Sequence, residues 1–102
     1  MPGMFTGPTS ASAPTQIDVD TASKEVVAEN YNRVGLVMTN LSDGTMYIAF
    51  GTNAAVVGSG IVILGSGGNF SMDDYIYTKE AVNAIAHSNN SLLAVQEFVV
   101  RS

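Results

Sequence analysis

The sequence predicts an all-β protein: a small β-sandwich, jelly-roll-like or of related topology, preceded by an extended N-terminal arm. Three observations predict it. Between Arg33 and Phe50, apolar and small or polar residues alternate with the period of two that places successive side chains on opposite faces of a strand. Similar short runs recur about every ten residues with turn residues between them, the spacing of a sandwich or barrel. Ten glycines, with frequent Asn and Asp, favour turns over helices.

The chain divides into an arm, residues 1–22, and a sandwich domain, residues 23–102. All three prolines, Pro2, Pro8 and Pro14, fall in the arm amid Gly, Ser, Thr and Ala. Such a segment cannot bury enough apolar area by itself to offset the entropy of ordering it. It is expected to order against a neighbouring subunit, with Met4, Phe5, Pro8, Pro14 and Ile17 as its contact residues. Next, KEVVAENY (24–31) mixes β-branched and helix-favouring residues and is read as a strand.

Residues 33–39 and 46–50 form the next two strands, expected as a hairpin. Asp43-Gly44 would supply the left-handed residue of the reversal. Ala54–Val57 and Ile61–Leu64 follow, the latter read as a short strand buried on both faces. Glycine loops at 58–60 and 65–68 bracket it, and 70–72 alternates again. Asp73–Glu80 is the most polar loop, with room for one turn of helix. Residues 81–87 are expected to pair with 92–100 across a turn at Asn89-Asn90-Ser91. No repeat of fixed period is visible.

Composition removes several function classes. One domain of 102 residues carries only 13% charged residues, against roughly 25% in an average globular protein. Its surface must be made of Ser, Thr, Asn and Gly, or be covered by partners. Four bases against nine acids, net −5, leave no basic patch for nucleic acid. There is no cysteine, hence no disulfide, thiolate metal site or cysteine nucleophile. The N-terminus has neither the basic nor the apolar region of a signal peptide, and Ile61–Leu64 is far too short to cross a bilayer. A soluble protein made in the cytoplasm, with no membrane partner, is the expectation.

The candidate chemical motifs are weak. Gly58-x-Gly60 has Ile63 where a dinucleotide fingerprint needs its third glycine, and no Gly-Lys-Ser/Thr exists for a Walker loop. Asp73, Asp74 and Glu80 lack the spacing of a calcium loop. His87 is the single histidine, with Ser88 and Ser91 beside it and no nearby acid in sequence, which gives no supported triad. Asn40-Leu41-Ser42, Asn69-Phe70-Ser71 and Asn89-Asn90-Ser91 match the glycosylation sequon and are read as turn chemistry. Tyr31, Tyr47, Tyr75 and Tyr77 could line a sugar-binding surface, although packing or protein contact is the commoner use of tyrosine. No cofactor or metal is expected.

One pattern is more informative than its parts. An Arg33-led strand ends at Asn40. Met46-Tyr47-Ile48-Ala49-Phe50-Gly51 follows, then Gly60-Ile61-Val62-Ile63-Leu64-Gly65, Ala84-Ile85-Ala86 and Ala94-Val95-Gln96-Glu97. This order resembles small virion proteins of tailed bacteriophages and covers residues 33–100. The arm and the Asp73–Glu80 loop depart from the pattern. The resemblance implies a non-enzymatic structural protein of the virion, chiefly a capsid decoration (cement) protein that stabilises the head by bridging subunits. Its partners would be the major capsid protein or other virion subunits. Homo-oligomers, trimers at local three-fold positions among them, would suit that role. A tail, neck or fibre-base subunit is the alternative within the class; a carbohydrate-binding module is the alternative outside it, and a hydrolase built on His87 the weakest.

Overall fold

The computed structural model describes residues 9–72 and 78–100. They form nine strands: β1 (Thr9–Ala11), β2 (Thr15–Val19), β3 (Lys24–Val27), β4 (Arg33–Asn40), β5 (Met46–Phe50), β6 (Ile61–Ile63), β7 (Asn69–Met72), β8 (Val82–Ala86) and β9 (Ser91–Val100). They make two antiparallel sheets, so the molecule is a small β-sandwich. Sheet A runs β1-β9-β4-β7, with β2 also on β9; sheet B runs β3-β8-β5-β6.

Alternation explains which side chains meet between the sheets. Leu36 and Met38 of β4, Leu93 and Val95 of β9, and Val19 of β2 point inward from sheet A. Met46 and Ile48 of β5, Ile63 of β6, and Val82, Ala84 and Ala86 of β8 face them from sheet B, all buried. Phe50 and Phe70 close the core edge with ring centroids 6.3 Å apart.

From β3 onward the strands agree with the sequence reading, whereas β1 and β2 fall in the segment read as an arm, and two expected pairings do not form. Residues 33–40 and 46–50 are not a hairpin: β4 pairs with β7 and β9, and β5 with β6 and β8. Likewise β8 pairs with β3 and β5, not with β9. From β2 onward, every connection except β5–β6 crosses from one sheet to the other, which is jelly-roll topology. The physical reason at the β4–β5 crossing is Asn40. Its amide turns the chain over the sandwich edge, and Gly44 is not among the left-handed residues, which are Gly51, Gly58, Gly60, Gly67, Ser66 and Asn90. Nor is the 61–64 strand doubly buried. β6 is an edge strand, and Val62 and Leu64 are 51% and 66% exposed. Residues 54–57 form no strand.

The N-terminal segment also has a place. β2 runs antiparallel along β9 from Thr15 opposite Val95 to Val19 opposite Ser91, and β1 continues along β9 from Ala11 opposite Phe98 to Thr9 opposite Val100. Residues 9–19 are therefore part of sheet A of their own chain. The turn that follows is tied down: Asn90 N donates to Asp20 Oδ1 (3.0 Å), Ala86 N to the Asp20 carbonyl (2.9 Å), and Thr21 N to Asn89 Oδ1 (3.1 Å).

Candidate functional site

Two fully buried polar side chains stand at the ends of β4. At one end the Arg33 guanidinium donates from Nε to Glu97 Oε2 (2.7 Å), from Nη1 to the Thr78 (2.9 Å) and Glu80 (2.8 Å) carbonyls, and from Nη2 to the Ala28 carbonyl (2.8 Å). Lys79 Nζ reinforces the same junction by donating to the carbonyls of Tyr31 (2.7 Å) and Arg33 (3.1 Å). At the other end Asn40 Nδ2 donates to the carbonyls of Gly44 (2.7 Å) and Ile63 (3.0 Å), while its Oδ1 accepts from Ser42 N (2.9 Å) and Ser42 Oγ (2.6 Å). Gly65 packs under that corner, where a Cβ would overlap the Asp43 carbonyl oxygen. Among the described residues no buried side-chain nitrogen or oxygen lacks a partner. These groups are committed to architecture.

Of the expected arm contacts, Met4, Phe5 and Pro8 lie outside the described residues. Ile17 packs against the core of its own chain. Pro14 is exposed and borders a depression of about 230 Å³ on the outer side of sheet A, lined also by Val37, Thr39, Ala94 and Gln96. Tyr75, Tyr77, Asp73 and Asp74 also fall outside the described residues. Tyr47 meets His87 edge-on, with centroids 5.5 Å apart and Oη 3.2 Å from Nε2. Ser91 Oγ donates to the Ser88 carbonyl (2.9 Å) instead of facing the imidazole.

Glu25, Glu29 and Glu80 rim a groove at the Arg33 end with Gly51, Thr52 and Asn83. Among the described residues, no three His, Cys, Asp or Glu side chains are grouped so as to hold a metal ion. The groove's field is felt at exposed Tyr31, whose hydroxyl is held above the usual tyrosine range. Its hydrogen bond to the Glu29 carboxylate is the main cause, followed by the negative charge of Glu29, some desolvation, and the charge of Glu80.

The distribution of charge is the feature that sequence reasoning missed. From Gly44 to Met72 the chain contains no Asp, Glu, Lys, Arg or His. This stretch supplies β5, β6 and β7 and the loops between them, one whole flank of the sandwich. The outer side of sheet A is nearly as neutral. Alternation leaves Leu92, Ala94, Gln96 and Phe98 of β9 there, with Gly35, Val37 and Thr39 of β4, Gln16 and Asp18 of β2, and Asn69 and Ser71 of β7. Asp18 is the one charged residue among them. On the outer side of sheet B, the loop 51–60 folds back over β8. Asn83 Nδ2 donates to the Gly51 (3.1 Å) and Asn53 (2.7 Å) carbonyls, and Ala55 N to Ser23 Oγ (2.8 Å). Val56 and Val57 of this loop, Val62 of β6 and Leu64 just beyond it are exposed. The signal was present in the sequence as a run without charge, but its meaning needed the topology that makes it one flank.

No protein-family model and no curated protein matches the chain. Among solved structures it is similar to a chain from work described as "Bacillus endospore appendages form a novel family of disulfide-linked pili". The TM-score is 0.57 at 13% sequence identity, and the match covers 100% of this chain and 96% of that one. At that identity the likeness concerns the fold.

Proposed function

We propose that this protein is a non-enzymatic structural subunit of a multi-copy particle, and specifically a capsid decoration protein of a tailed-phage head. The observation that carries the reading is the uncharged flank, beside a sheet face on which Asp18 is the one charged residue named, on a molecule of net charge −5. Unprotected, uncharged edge strands such as β6 and β7 are templates for association on a free monomer, and natural monomers blunt them with charge or proline. The opposite edges carry such protection: Lys24, Glu25 and a bulge on β3, and Pro14 and Asp18 beside and on β2. The order of motifs, which resembles that of small phage virion proteins, supports a virion as the particle.

In this reading the sandwich sits over junctions between major capsid subunits. Residues 9–19 complete sheet A of their own chain, so the proposed contact with a neighbour is assigned to the part of the arm before Thr9, where Met4, Phe5 and Pro8 fall in the sequence. Backbone pairing along a neighbouring edge would give each contact modest strength, and many copies would add avidity. The test is co-sedimentation of purified protein with undecorated shells, using the intact chain and a variant lacking residues 1–8. Saturable binding that raises the heat resistance of the shells, weakened by the deletion, is expected. Absence of binding by the intact chain would overturn the assignment to the head. A tail, neck or fibre-base role is the second reading, favoured by the fold likeness to an appendage subunit. Without cysteine, linkage by disulfides is not open to this chain. Copy number in purified particles separates the two, matching the shell subunits in one case and a tail ring in the other.

A further inference from the structure

We infer that Asp43 is a modification site, the position at which this chain isomerises to isoaspartate through a cyclic imide formed with Gly44. The inference does not depend on the structural-subunit reading. Gly44 is the one glycine of the sequence that follows an Asp or Asn, and without a Cβ its amide nitrogen is the least hindered a peptide can offer. The structure adds two conditions. Asp43 is exposed, and its carboxylate takes no part in the Arg33–Glu97 ion pair or in the hydrogen bonds of the Asn40 corner. No described residue accepts a hydrogen bond from the Gly44 N–H. The other described candidates lack this combination. Asp20 Oδ1 accepts from Asn90 N (3.0 Å), and the N–H that follows it, of Thr21, is held by Asn89 Oδ1 (3.1 Å). Asp18 lies within β2 and precedes the buried, β-branched Val19. Every Asn is followed by a residue that carries a Cβ.

The step balances with water alone. Gly44 N bonds to Cγ of the protonated Asp43 carboxyl, the Cγ–OH bond breaks, and the hydroxyl leaves with the amide proton as water. A second water then opens the ring. Attack at the former main-chain carbonyl breaks its bond to Gly44 N, so the chain now runs through Cβ and Cγ and the old carbonyl carbon becomes a free carboxylate. The surroundings give that change a consequence. The Asp43 carbonyl lies so close to Gly65 that a Cβ there would overlap it, and the Gly44 carbonyl accepts from the buried Asn40 Nδ2 (2.7 Å) and from Ser42 Oγ (3.2 Å). The isomer places a charge where the carbonyl packs and inserts a carbon just before the acceptor of Asn40. A buried donor that loses its acceptor is costly, so the modification unlocks the corner that turns β4 into β5.

The experiment ages the folded full chain in mildly acidic buffer made with water enriched in heavy oxygen, then maps peptides by mass spectrometry. Ring opening leaves one heavy oxygen at the site, and an endoprotease that cuts before Asp but not before isoaspartate reports the isomer. Label and resistance to cleavage should accumulate at Asp43 ahead of Asp18 and Asp20. Gly44→Ala, whose Cβ would meet only His87 Cβ at 3.9 Å, should slow the reaction severalfold with the circular dichroism unchanged. Asp43→Glu, which keeps the charge but would have to close a larger ring, should abolish it. The aged wild type should show a second, lower melting transition that grows with the label. Folded chain that gains no isoaspartate at Asp43, or gains it equally at Asp18 and Asp20, would overturn the assignment, as would Gly44→Ala that reacts as fast as the wild type. A single, unshifted melting transition in fully labelled protein would overturn the unlocking of the corner.

Discussion

The two ends of β4 are closed by buried polar side chains of different kinds, and the difference shows how a small sandwich divides its labour. Asn40 works locally: two of its partners, Ser42 and Gly44, are within four residues, and Ile63 is its one distant contact. It shapes a corner. Arg33 works at a distance, joining Ala28, Thr78, Glu80 and Glu97 with four of the five N–H donors of its guanidinium. It holds three separate segments of chain against the end of the sheet. A buried charge is costly unless fully paired, and here it is paired with a carboxylate and three carbonyls.

The largest effect is expected at the distant clamp. Arg33→Met leaves the Glu97 carboxylate and three carbonyls without their donor, a loss of about 3–5 kcal/mol. A domain of this size has only about 5–15 kcal/mol in all, so urea denaturation should show a variant near the edge of folding. Pairing that change with Glu97→Leu removes the stranded charge. The double variant should regain roughly 1–2 kcal/mol, the coupling of neighbours in one network. A double variant no more stable than Arg33→Met would show that the carbonyls, not the ion pair, are the clamp's substance.

The corner should yield less. Asn40→Asp keeps the shape and the acceptor for Ser42 but turns a carboxylate toward the Gly44 and Ile63 carbonyls. A loss of about 2–3 kcal/mol is expected, read as a fall in melting temperature of roughly 10–20 °C. Equal losses at both ends would erase the distinction drawn between them. The smallest effect is spectroscopic. Glu29→Gln removes the carboxylate that holds the Tyr31 proton, so the alkaline titration followed by tyrosine absorbance should move to lower pH for one tyrosine, with the fold unchanged.

Much of this fold was legible in the sequence, and the illegible part has one physical cause. Alternation in 33–40, 46–50, 69–72 and 82–86 identifies strands and the faces they bury, because the period of two is a property of the strand itself. It does not say which strand lies alongside. Asn40 to Gly44 and Asn89 to Ser91 read equally well as hairpin turns or as crossings between sheets, and both are crossings. Arg33 and Glu97 stood in the motif order as markers, and their ion pair across 64 residues of chain appears only when β4 and β9 are placed together. Ile17, expected on a neighbour, finds its apolar surroundings within its own chain because β9 offers an edge that β2 completes. Of the candidate surface, the charge-free run was written in the residues. The shape of the two faces, set by a loop folded over β8 and by small side chains on β4 and β9, was not.

The place of β9 inside sheet A also sets an order of events during synthesis. It follows β1, β2 and β4 in the chain, and all three pair along it. Until residues 91–100 have emerged, β2 lacks the strand it lies along and β4 can hold only β7. Sheet A is therefore closed by contacts between segments far apart in sequence, the sort of non-local pairing that folds over milliseconds to seconds. A nascent chain thus exposes its uncharged strands until that segment arrives, and the lifetime of the open half-sheet governs how often neighbouring nascent chains entangle.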